Sequence, residues 1–101
     1  MKNKEFNQRA EQIYYEMTSA SAKTVALAST SVMNVLQNFK ASDQFLAIAA
    51  LMIMLYKNYG VRPIEALNVA DNILEATKNS KDIVEFRALS QYFKNDFTND
   101  I

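Results

Sequence analysis

The chain has no cysteine and no histidine. Without cysteine there is no disulfide framework, thiol nucleophile or thiolate metal site, so redox chemistry does not fix the compartment and a reducing one is merely compatible. The missing imidazole removes the commonest general base and the commonest transition-metal ligand together. Ser-His-Asp and Cys-His mechanisms are thereby excluded. An excess of one charge is missing too: eleven Lys+Arg offset eleven Asp+Glu, with no block of like sign. That balance disfavours strong non-specific binding to nucleic acid or to an acidic membrane. Backbone breakers are almost absent, since one glycine, Gly60, and one proline, Pro63, stand nearly together and serve the whole sequence.

What remains is half hydrophobic, spread over 101 residues. This length suits one domain, 1–101, that buries roughly 60–70% of its unfolded surface. Residues Met1 to Arg9 carry charge with no apolar stretch behind them, so no signal peptide is expected. The longest apolar run, Phe45 to Tyr56, has twelve residues and is closed by Asp43 and Lys57. A spanning helix needs about 20, so the run reads as the core helix of a soluble, cytoplasmic protein.

Ala, Leu, Met, Glu and Lys are plentiful and breakers scarce, which makes helix the default. The expected fold class is all-α: a small helical bundle of four helices, or five if the first segment breaks, with a long N-terminal helix and a central apolar helix. The first segment runs from about Lys4 to Phe39, with Asn3 as N-cap. Phe6, Ala10, Ile13, Tyr14 and Met17 share a stripe, and Val25, Ala28, Val32, Val35, Leu36 and Phe39 continue it nearly in phase. Continuity of phase favours one helix of about 54 Å. The small polar run Thr18 to Lys23, with Ser19 or Ser21 as a new N-cap, favours a break, and the two readings weigh equally.

Ser42 reads as the N-cap of the apolar helix, with Asp43 at its positive end and Gly60 as its left-handed C-cap. Pro63 then opens a third helix reaching about Lys78, reinforced by Glu65. Asn79-Ser80 starts the last helix, whose main stripe is Ile83, Phe86, Leu89, Phe93 and Phe97. Thr98 to Ile101 is expected to fray.

Four constellations are candidates for function. On the apolar helix the Ala47/Leu51/Met54 face must be hidden by the first helix or by a second copy of the chain. On the last helix Val84, Ala88 and Tyr92 form a thinner stripe suited to an interface, while Tyr15 reads as scattered surface hydrophobicity. Residues 45–78 have a helix–turn–helix outline, but Glu65, Asp71 and Glu75 would confront phosphates and only Lys57 and Arg62 oppose them. Asp71 and Glu75 lie one turn apart, yet without histidine or a second acidic pair they read as a solvated face.

No catalytic, cofactor or metal site is therefore expected. The functional expectation is a non-enzymatic protein–protein interaction module, a small adaptor, inhibitor or regulator acting as a homodimer or other homo-oligomer. The alternative is a nucleic-acid-associated regulator using the 45–78 hairpin.

Overall fold

A computed structural model describes the backbone of residues 2–100 and the side chains of residues 4–94. The chain is all-α, with five helices among the described residues: α1 Lys2–Thr18, α2 Ala22–Leu36, α3 Ala41–Tyr59, α4 Pro63–Thr77 and α5 Val84–Asp100.

Of the two equal readings of residues 4–39, one helix or two, the structure forms the second, with Ser21 as the N-cap of α2. The hydroxyls of Thr18 and Ser19 donate back to the carbonyls of Tyr15 and Glu16, and the Ser19 and Ala20 amides close onto Glu16 and Met17 three residues back. Ser21 is extended, at φ −71° and ψ 120°, and its hydroxyl accepts from the Thr24 amide. Short polar side chains thus give the backbone partners that a continuing helix would have supplied. Apolar phase could not reveal this, because it reports which residues share a side and not whether the axis turns.

Other boundaries move for similar reasons. Asn3 lies inside α1, with its side chain outside the described residues. α2 stops at Leu36, and the Gln44 amide reaches back from α3 to donate to the Leu36 and Phe39 carbonyls at 3.0 and 2.8 Å. α3 starts at Ala41 with Lys40, two residues before Ser42, as its N-cap; Lys40 makes no side-chain cap, and its carbonyl accepts from the Asp43 and Gln44 amides. α5 starts at Val84 and not at Asn79-Ser80: Ser80 accepts from the Asp82 amide and Arg87 donates to the Ser80 carbonyl, which holds the approach as a turn. α5 continues through Asp100. The side chain of Phe97 and the whole of Ile101 lie outside the described residues.

The turn between α3 and α4 forms as its residues dictate. Gly60 takes φ 86°, donates its amide to the Tyr56 carbonyl at 2.7 Å, and lets Pro63 open α4. Glu65 pairs with Arg62 at 2.8 Å, which also holds the guanidinium firmly in its charged form.

α1 packs on α3 and α4, α3 on α4, and α2 on α5. The Cα extents are 53 × 31 × 18 Å, and the thinnest admits about two layers of helices spaced 8–10 Å apart. Two layers cannot enclose a helix that is apolar all round. The radius of gyration of 15.5 Å exceeds the about 13 Å of a compact domain this long. Among the described residues only Ala26 is buried.

Candidate interaction surface

α3 concentrates the discrepancy between composition and burial. No described residue of it is buried, and only Gln44, Ala47 and Met52 are half-buried. Phe45 is 74% and Leu46 68% exposed, and Leu51, Ile53, Met54 and Leu55 are each about half exposed. α1 and α4 cover one side of the C-terminal half: Ile13 and Met17 line an apolar hollow with Met52, Leu55, Tyr59 and Val61. Among the described residues, Leu46, Ala50 and Ile53 on the opposite side are exposed.

Of the face singled out on this helix, Ala47 is half-buried while Leu51 and Met54 are exposed. Leu51 and Met54 line a shallow hollow with Arg9 and Tyr59. There the Arg9 guanidinium sits 4.6 Å from the Tyr59 ring centroid, a cation–π contact that ties α1 to the end of α3. α1 therefore hides only the rim of this face.

The stripe on α5 divides. Val84 and Ala88 are exposed, whereas Tyr92 is half-buried and meets Phe93 edge-on at 5.7 Å. Tyr92 and Phe93 close one wall of a notch of about 500 Å³, whose other walls include Met33, Phe39, Phe45 and Ile48. The structure thus brings Tyr92 to the N-terminal end of α3. Val84 and Ala88 line neither this notch nor the hollow at Leu51 and Met54. Beside Val84, Glu85 takes the Lys23 ammonium at 2.7 Å, which joins α5 to α2. That hydrogen bond, helped by one from its own backbone, holds the Glu85 carboxyl below the usual range, and its Oε2 is buried without a partner.

α2 contributes a further exposed surface, made of Val32, Val35 and Phe39 from the stripe read in the sequence together with Leu27 outside it. Leu27, Val32, Val35 and, just beyond the helix, Phe39 are between 49% and 61% exposed. The hydroxyls of Ser29, Thr30 and Ser31 donate to the carbonyls of Val25, Ala26 and Leu27, so this polar run is satisfied within its own helix. A partner covering α2 would strand none of these donors. The cue available in the sequence was the lack of charge from Thr24 to Phe39, more than one buried stripe requires.

The remaining constellations are placed as follows. Tyr15 is 73% exposed. Glu75 pairs with Lys78 at 2.6 Å, and among the described residues no group of three or more acidic side chains gathers around a metal-sized space. α4 leaves α3 through a 116° bend, within the range of helix–turn–helix pairs. No single described helix is long and apolar enough to cross a membrane, and only the bent α3–α4 pair meets a length and composition test jointly.

Comparison with protein-family models, curated proteins and solved structures returned no match.

Proposed function

We propose that this chain is a non-enzymatic protein–protein interaction module, an adaptor, inhibitor or regulator that works in the cytoplasm as a homo-oligomer, most simply a homodimer. In this reading the helical bundle is completed between subunits. One observation carries it. The chain exposes 8067 Å², while a compact monomer of 11.5 kDa is expected to expose about 5,800 Å². The excess of about 2,300 Å² is larger than the about 800 Å² that each partner contributes to a standard interface. Exposed large apolar side chains on α2 and α3 contribute to it, and monomeric proteins seldom leave large apolar patches bare.

The exposed Leu51/Met54 face, with half-buried Ala47 at its edge, and the Val84, Ala88 and Tyr92 stripe are the surfaces assigned to binding. Size-exclusion chromatography with light scattering tests the reading: an assembly is expected at micromolar concentration, and a monomer there refutes it. Leu51→Glu and Tyr92→Glu are expected to stay helical and to weaken association at least about tenfold, as a charge buried in an interface core does. If both variants associate unchanged, the assigned surfaces are wrong.

A second reading is supported by the 116° bend between α3 and α4, which would let α4 act as a nucleic-acid recognition helix. Its exposed face carries Asn68 and Asn72 but also Asp71 and Glu75. Binding to duplex DNA that falls steeply with rising salt would favour this reading over the first.

A further inference from the structure

Resting on the reading of the chain as self-associating, we propose that α3 pairs antiparallel with α3 of a second copy, across a two-fold axis at Ala50. Asp43, Leu46, Ala50, Ile53 and Lys57 recur at alternating intervals of three and four, the spacing of a helix–helix seam. At 100° per residue they fall within an arc of about 80°. All five are exposed, and they lie on the side of α3 away from half-buried Gln44 and Met52, with half-buried Ala47 at their edge.

The seam is self-complementary in one orientation only. Asp43 and Lys57 stand at equal sequence distance on either side of Ala50, and neither has an ion-pair partner among the described residues. Antiparallel pairing sets Asp43 beside Lys57 of the partner subunit, twice over. It also sets Leu46 against Ile53 and Met54 of the partner subunit and aligns the helix dipoles favourably. Parallel pairing would oppose like charges at both ends. Ala50 at the crossing, with Ala49 beside it, leaves room for two backbones to approach closely. This symmetry selects a second copy over an unrelated partner, because an isologous interface requires one patch to match itself. A bilayer fits poorly, since both charged ends of the stripe would have to leave water.

The absence of native cysteine permits a direct test. Ala50→Cys, checked for unchanged helicity by circular dichroism, is expected to form a disulfide-linked dimer under mild oxidation. Asp43→Cys and Lys57→Cys are each expected to cross-link poorly alone and well when mixed. Independently, Asp43→Lys and Lys57→Asp should each weaken association about tenfold, and the double reversal should restore it to within about threefold. If the wild type associates but Ala50→Cys does not cross-link, or Asp43→Cys alone cross-links as readily as the mixture, the seam is wrong and self-association stands. A wild type that remains monomeric at every concentration removes both, as does one that remains monomeric and floats with phosphatidylcholine vesicles through α3.

Discussion

Gly60 and Ala50 are ten positions apart at the end and the middle of one helix, and their surroundings are opposite. At Gly60 the chain is packed so closely that an added Cβ would come within 2.8 Å of the Phe6 ring and 3.0 Å of the Ala10 Cβ. At Ala50 the outward face of α3 is bare. Hydrophobicity does not account for the difference, because the segment around Ala50 is the more apolar of the two. What differs is the presence of a neighbour that the chain can reach. The Gly60 turn folds α4 back, and α1 lies across the corner that results. Among the described residues, the far side of α3 in this two-layer slab meets no third layer.

The largest effect expected from breaking this contrast comes from Gly60→Ala. The substitution forces a Cβ into a left-handed backbone at φ 86° and against Phe6 and Ala10 at once. Together the conformational and overpacking costs come to about 2–3 kcal/mol. The readout is the shift in the denaturant midpoint, which should exceed that of any single truncation on the outward face of α3.

The contrast also explains what the sequence made legible. The Gly60 cap, the Pro63 start and the apolar character of α3 were all readable, because each is set by the residues of one turn or one stripe. The break at Ser21 was readable only as one of two equal options. Its deciding contacts, hydroxyls of Thr18 and Ser19 on nearby carbonyls, compete locally with helix continuation and leave the apolar phase unchanged. The α3 start was misplaced at Ser42 because the helix begins on Lys40 without a side-chain cap, so no capping residue marks its first turn. Of the candidate surface, Leu51 and Met54 were legible from the rule that an all-round apolar helix needs cover on every side. The bare face of α2 was signalled only by the lack of charge from Thr24 to Phe39, since a stripe of Val and Leu looks the same whether or not a neighbour stands over it.

A matched pair of isoleucines sharpens the comparison. Ile13 on α1 is half-buried and lines the apolar hollow with Met52 and Leu55. Ile13→Ala removes that cover and is expected to cost about 1–2 kcal/mol, below the usual 2–5 because burial is partial and alanine favours helix. Thermal unfolding followed by circular dichroism checks the value.

Ile53 on the outward face is the other half of the pair, 49% exposed. In dilute solution Ile53→Ala should change stability by no more than about 0.5 kcal/mol, since the side chain there trades water for little else. The two proteins should part as concentration rises. Any partner that binds only the folded chain stabilises it by mass action, about 2.7 kcal/mol at a hundredfold excess over the dissociation constant. The melting temperature of the wild type is therefore expected to climb with protein concentration, and that of Ile53→Ala to climb less, so the gap between them widens with concentration. Ile13→Ala should run parallel to the wild type, displaced by a constant amount, because its loss lies within the subunit. Parallel curves for all three proteins would mean that the outward face of α3 takes no part in assembly, and that its exposure is a property of the folded chain alone.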